Sequence, residues 1–228
     1  MRMIKYIFTE NEFITLLALS GLTSAYAFRP EKDMEDGELI EALHSLYRRG
    51  MITEKESGFD PVGSAEEIVE AIRRAEYVFL MDLPEAETFR RLIYPVEAGR
   101  LLVMEKSHPA AEKRIKLQLI QTEDFVDELL ENELEEMISP KAAAGLAAEE
   151  LVEDDVPEEQ GADDFDLTVF MLRRKKTLSE EEISSLSLHM TAAAYRIVRQ
   201  DESGLHGMTF TMKAFAGLLT DELRGDMS

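Results

Sequence analysis

Lys113-Arg114-Ile115-Lys116-Leu117-Gln118-Leu119-Ile120 alternates between polar and apolar side chains as far as Leu119. A period of two marks a half-buried strand, with Ile115, Leu117 and Leu119 on one face and Arg114, Lys116 and Gln118 on the other. Three more strand-like runs precede it: Tyr77 to Met81, Phe89 to Val96 and Arg100 to Glu105, the last two flanking the turn-like Glu97-Ala98-Gly99. After it, Thr122 caps a long helix whose Val126, Leu129, Leu130, Leu134 and Met137 form one apolar stripe, and Pro140 ends it. A meander with one apolar face needs such a helix to cover it.

The same order of elements returns further on. Phe165 to Leu172 reads as a strand in which Leu167, Val169 and Met171 alternate with Thr168, Phe170 and Leu172. Leu186 to Met190, Tyr195 to Arg199 and Gly207 to Met212 follow, with the turn Asp201-Glu202-Ser203-Gly204 before the last. A helix from Phe215 to Leu223 closes the series, and Phe215 matches Phe125 at the helix start. Self-similarity in fixed order is the mark of duplicated units. The expected fold is therefore α+β: an antiparallel β-sheet from two pseudo-repeated strand-strand-strand-helix units with flanking helices. Between Leu172 and Leu186, the basic run Arg173-Arg174-Lys175-Lys176 reads as a solvated turn, or as a partner of the acidic segment before it or of Glu180-Glu181-Glu182 after it, and Ser179 opens a short acidic helix.

Ahead of the first unit, Met3 to Phe8 is β-rich, and Thr9-Glu10-Asn11-Glu12 is a capping box opening a helix to Leu22. A second helix runs from Asp36 to Arg49, with Leu39, Ile40, Leu43, Leu46 and Tyr47 at helical spacing and Gly50 as its stop. Met51 to Lys55 and Ser57 to Pro61 suit a short hairpin. Ser64 caps a third helix, whose buried stripe is Ile68, Val69 and Ile72. About half the residues from Ala147 to Asp166 are acidic and show no apolar period, as in a solvated linker. The expected organisation is an N-terminal strand and helical region (1–76), the first meander and helix (77–146), an acidic linker (147–164) and the second meander and helix (165–228).

Forty-seven Asp and Glu against 25 Lys and Arg give a formal net charge of −22. Such a surface repels phosphate backbones and anionic lipid, which argues against nucleic acid and favours a basic partner or simply solubility at high concentration. The chain has no cysteine, so thiol catalysis, disulfides and zinc–thiolate sites are excluded. Phe13 to Leu22 is apolar and Ala25-Tyr26-Ala27 imitates a cleavage site, but Glu10 and Glu12 interrupt any basic leader. No apolar run approaches the ~20 residues of a membrane span. A cytoplasmic protein is expected. Neither a phosphate-binding glycine loop nor a nucleophile elbow occurs, and His44, His108, His189 and His206 are scattered. The sequence thus predicts no enzyme, cofactor or metal. The second helix and hairpin do resemble part of a winged helix, but Asp36, Glu38 and Glu41 oppose DNA, and Arg48 and Arg49 also suit the helix dipole.

Phe8-Thr9-Glu10-Asn11-Glu12-Phe13 through Leu16, Leu19 and Gly21-Leu22, the helix end from Leu43 to Gly50, and the two meander–helix units together carry a resemblance. They are similar to the EspG family, the cytosolic chaperones associated with type VII (ESX) secretion. The resemblance implies a pseudo-symmetric α+β protein, with a central antiparallel sheet flanked by helices, that binds the tip of a helical secretion substrate. The acidic stretch from Ala147 to Asp166 departs from that pattern, and no binding residue carries over. The expected function is a non-enzymatic protein-binding chaperone or adaptor. A transcriptional regulator with a degenerate winged helix and a structural subunit of a larger complex are the alternatives, and a homo-oligomer is compatible with all three readings. Apolar surface near Phe59, Phe165, Phe170 and Phe215 is the expected place for a partner, with a core role for each as the competing reading.

Overall fold

The structure, a computed structural model, describes residues 4–22, 34–56, 58–83, 90–106, 114–134, 153–154, 167–177, 181–190 and 195–225. The chain opens with β1 (Ile4–Thr9), α1 (Glu10–Leu19), α2 (Asp36–Arg48), the hairpin β2 (Ile52–Lys55) and β3 (Gly58–Pro61), and α3 (Ser64–Arg74). A meander follows, β4 (Tyr77–Asp82), β5 (Arg90–Val96), β6 (Arg100–Lys106) and β7 (Arg114–Gln121), and then α4 (Thr122–Leu129), which widens into a π-helical turn over Leu130–Leu134. After a two-residue strand β8 (Glu153–Asp154) comes a second meander, β9 (Leu167–Lys176), β10 (Glu182–Met190), β11 (Tyr195–Asp201) and β12 (Gly204–Thr209), and finally α5 (Met212–Arg224).

Ten strands form one antiparallel sheet in the order β1-β7-β6-β5-β4-β9-β10-β11-β12-β8, while β2 and β3 pair apart from it. The two meanders meet at β4 and β9, where Tyr77 stands opposite Lys176 and Asp82 opposite Met171. One face carries Phe79, Ile93, Val103, Phe170, Leu188 and Ile197 beneath α4 and α5, which also pack against each other. The opposite face of the first meander carries Val78, Leu80, Tyr94, Leu102 and Leu117, and these pack with Phe13 and Leu16 of α1 and Ile68 and Ile72 of α3. Full burial of each such side chain contributes about 1.5–3 kcal/mol, so this three-layer half holds most of the N-terminal helices in place. The alternation of β7 is realised: Ile115 and Leu117 are buried, and Arg114 and Lys116 are exposed.

Several local expectations change. The basic run is not a turn. β9 continues through Arg173, Arg174, Lys175 and Lys176, because each head group that matters there finds a partner. Arg173 pairs with Asp82 across the central strand pair, the Arg174 guanidinium lies 3.8 Å from the centre of the Tyr77 ring, and Lys176 Nζ is 2.8 Å from a Glu181 oxygen. The acidic segment is no helix where it is described: Glu182 lies in β10 opposite Lys175, with an irregularity before Ser184, while Ser179 is outside the described residues. Thr122 and Ser64 are not caps but first residues of their helices, which Gln121 and Gly63 cap. Thr122 is diverted because its amide and hydroxyl both donate to the Gly99 carbonyl, at 2.9 and 2.8 Å. Within the acidic linker, Glu153 and Asp154 pair with Met208 and Gly207 of β12; Met137, Pro140 and most of the linker lie outside the described residues.

The capping box at Thr9 is present, and it anchors more than its own helix. The Thr9 amide donates to Glu12 (2.8 Å), and the Glu12 amide donates to the Thr9 hydroxyl (3.2 Å). The same buried carboxylate accepts from the Ser45 hydroxyl of α2 (2.5 Å) and from Arg49 Nη1 (3.0 Å). Arg49 also donates to the Ile7 carbonyl of β1 (2.9 Å) and lies 4.8 Å from the Phe8 ring centre. Burial pushes the Glu12 carboxyl up, but the hydrogen bonds from Ser45 and Thr9 and the charge of Arg49 outweigh it and hold it below its ordinary 4.5.

A carboxyl depressed in the folded state adds stability above its unfolded pKa and loses it as pH falls through the folded value. Glu12→Gln is therefore expected to lower unfolding free energy at pH 7 by about 1.5–3 kcal/mol, the scale of hydrogen bonds to a charged group. The gap should close as pH falls below about 4.5, and urea titrations at pH 7 and pH 3.5 measure it. In the β5–β6 loop, Ala98 sits at φ 62° beside Gly99 at φ 68°. Asn tolerates that region better than Ala, so Ala98→Asn should raise stability by about 0.5–1 kcal/mol in the same assay.

Candidate protein-binding surface

Helix α2 is fixed from both ends. The Glu35 amide donates to Glu38 (3.0 Å) at its start, and Gly50, at φ 66°, lets the chain turn so that the Met51 amide reaches the Leu46 carbonyl (3.0 Å) at its end. Ala42 and Leu46 are buried toward α1, and Ser45 and Arg49 hold the same side through Glu12. The opposite side is bare. Five large apolar side chains are exposed among the described residues, and three of them, Leu39 (39%), Ile40 (53%) and Tyr47 (53%), stand on α2; the others are Ile7 and Leu205. Half-buried Leu43 lies between them, and half-buried Phe59 of β3 meets Tyr47 edge-on, ring centres 6.2 Å apart at 73°. The result is one apolar stripe running off the helix onto the hairpin.

Charge frames the stripe. Seven carboxylates and three cations lie between Glu35 and Pro61. Two of the cations are engaged, Arg49 by Glu12 and Lys55 by Asp60, so the local field is negative. Glu54 stands opposite Phe59 in the hairpin and thus on the same face.

Of the three described phenylalanines among the four expected near a partner, Phe59 alone reaches this surface. Phe170 and Phe215 are fully buried, their rings 5.2 Å apart at 89°, with Phe210 5.9 Å from Phe215. Helical register turns Phe215 down from α5 onto the sheet, and alternation in β9 points Phe170 up to meet it. Neither offers a side chain to a partner. Phe165 lies outside the described residues. Leu39, Ile40 and Tyr47 carry the surface instead. Their signal was present in the sequence: with Ala42, Leu43 and Leu46, they extend the apolar arc of α2 to about 160° at 3.6 residues per turn.

Elsewhere among the described residues several ionisable groups are held within the fold. A cleft of about 360 Å³ lies between the β1–β7 end of the sheet and α4. At its wall Arg91 is buried between Glu105 and Glu133; it reaches Glu133 through two nitrogens, at 2.9 and 2.7 Å, and pins the π-helical turn to the sheet. Burial alone would lower the Arg91 pKa, but the two carboxylates raise it. His189 is buried, with the Thr168 hydroxyl 3.1 Å from Nδ1 and the Ser187 hydroxyl 2.7 Å from Nε2, and burial lowers its pKa. Among the described residues no three His, Asp or Glu side chains gather to hold a metal ion, and no helix is long and apolar enough to cross a membrane.

Core and surface separate cleanly by substitution. Phe215→Ala should cost about 3–5 kcal/mol, as for large-to-small changes in a packed core. Ile40→Ser should change stability by no more than about 0.5 kcal/mol, as at exposed positions. Denaturant midpoints of the two variants check both.

No family model matches the chain, and no curated protein matches it in sequence. Among solved structures it is similar to the type VII secretion system chaperone EspG5 of Mycobacterium tuberculosis, solved in complex with the PE25–PPE41 dimer. The TM-score is 0.58 with 10% identity, covering 95% of this chain and 94% of that one. At that identity the likeness is one of fold, extending over nearly the whole of both chains.

Proposed function

We propose that this protein is a non-enzymatic, cytoplasmic chaperone or adaptor that holds a helical client of a type VII-like secretion system. The observation that carries the reading is the apolar stripe of Leu39, Ile40 and Tyr47 with Phe59, on a helix clamped against the body of the protein. Contiguous exposed apolar surface on a polar protein marks a site of association, and a rigid helix loses little entropy when a partner covers it. The likeness in fold to a secretion chaperone supports the same reading, at the level of architecture. Within this proposal the two meander–helix stretches, 77–146 and 165–228, are copies of one ancestral unit joined by the acidic linker 147–164, and the helices of 1–76 are an addition to the first copy.

The winged-helix alternative draws on the α2–β2–β3 order, which is present. Its reading helix, however, carries an apolar and acidic outer face, and Arg49, which such a helix would turn to phosphate, is held by Glu12 and Ile7. The test is isolation of the tagged full-length chain from its native cell. A small helical protein recovered in equimolar amount is the expected result. A tight, salt-sensitive and sequence-specific DNA complex, or recovery of the chain by itself, would overturn the proposal.

A further inference from the structure

The stripe on α2 has a length, a rim and a sign, and together they define what fits it. Leu39 to Tyr47 spans eight residues, about 12 Å at 1.5 Å per residue, and Phe59 extends the apolar path beyond the helix end. A ridge of that length matches two to three turns of a second helix, whose own apolar residues recur every three or four positions. Asp36, Glu41 and Glu54 are exposed beside the stripe, and none of them is in an ion pair among the described residues. Arg48 is the cation on the outer flank, and its Nε donates to the His44 carbonyl (3.4 Å).

A second copy of this chain is the wrong occupant. Its α2 would bring the same carboxylates against these, and two chains of net charge −22 repel at every distance short of screening. An extended strand is also poorly matched, because α2 offers side chains and no open backbone edge. We infer that the α2 stripe docks an amphipathic helix of another protein, one whose apolar face is flanked by lysine or arginine. The apolar residues supply the contact, and the acidic rim selects the sign and accelerates encounter. This inference rests on the reading that the chain holds a protein partner, and it adds the partner's chemistry and its place of docking.

The test uses the full chain and three labelled synthetic 18-residue peptides, followed by fluorescence anisotropy at low and moderate salt. The first places leucines at helical spacing with lysine flanks. The second replaces the lysines with glutamates. The third keeps the first composition but scatters the leucines. The first should bind at least tenfold more tightly than either of the others. Ile40→Asp should weaken it about tenfold, although the added carboxylate strengthens plain attraction to a cation; Asp36→Lys with Glu41→Lys should transfer preference to the glutamate peptide. Thermal melts verify that the variants are folded, and Tyr47→Ser replaces Ile40→Asp should the latter not fold. Equal binding of the scattered peptide, or an unchanged affinity for folded Ile40→Asp, would reduce the site to diffuse electrostatics and overturn the inference. A parent dimer that Ile40→Asp dissociates would overturn it in favour of a second copy. Recovery of the native client by Ile40→Asp as well as by the parent would sink the α2 site while leaving the chaperone reading standing. Failure to recover any client from the native cell is the separate failure of that reading.

Discussion

The antiparallel pairing of β4 with β9 is the constraint on which the rest of the molecule depends. It turns two separate meanders into one sheet, and it joins residues about 90 to 100 positions apart in the chain. Its ends are fastened by side chains as well as by the ladder. Arg173 meets Asp82 at one level, and Arg174 lies on the face of Tyr77 at another. Because the long strands fan out from this seam in opposite directions, the helices that follow β7 and β12 return toward it on the same face. There α4 and α5 meet, and Phe170, Phe210 and Phe215 close the space between them.

The second face follows from what that arrangement leaves bare. Val78, Leu80, Tyr94, Leu102 and Leu117 point away from α4 and α5, and such a row needs an apolar cover. The N-terminal segment supplies it: β1 joins the edge at β7, and α1 and α3 lie across the strands. Helix α2 is one layer further out. It touches the body through Ala42, Leu46 and the Glu12–Ser45–Arg49 network, so only part of its apolar arc is used. The exposed stripe is thus a consequence of position in the layers, stabilised by a buried carboxylate that reads three elements at once.

Much of this was legible in local pattern. The alternation from Arg114 to Leu119, the Thr9–Glu12 box and the stop at Gly50 each depend on neighbours within four residues, and each was realised. What could not be read depends on residues far away. Arg173 to Lys176 looks like a solvated turn, or a partner of the neighbouring acids, until Asp82 and Tyr77 are placed beside it. Thr122 looks like a cap until the Gly99 carbonyl competes for its hydroxyl. Phe59 and Phe215 are both aromatic residues next to turns or helix starts, and nothing local separates one at the surface from one at the centre of the core. Only the layer in which each falls decides it.

An exposed apolar stripe carries a hazard of self-association, and the negative charge of this chain opposes it. Removing Leu39, Ile40 and Tyr47 from water is favourable whichever surface covers them, so apolar contact alone cannot tell the proposed helical partner from a second copy. The carboxylates beside the stripe can. They add repulsion when like meets like and attraction when a cationic helix approaches, and the difference between the two is specificity. That difference requires the rim to stay charged and unpaired. Of the three nearby cations, Arg49 and Lys55 are engaged by Glu12 and Asp60, and Arg48 lies on the outer flank with its Nε donating to the His44 carbonyl. Glu12, in fixing α2 to the body through Ser45 and Arg49, holds the stripe outward and leaves its carboxylate rim to set the sign of the proposed partner.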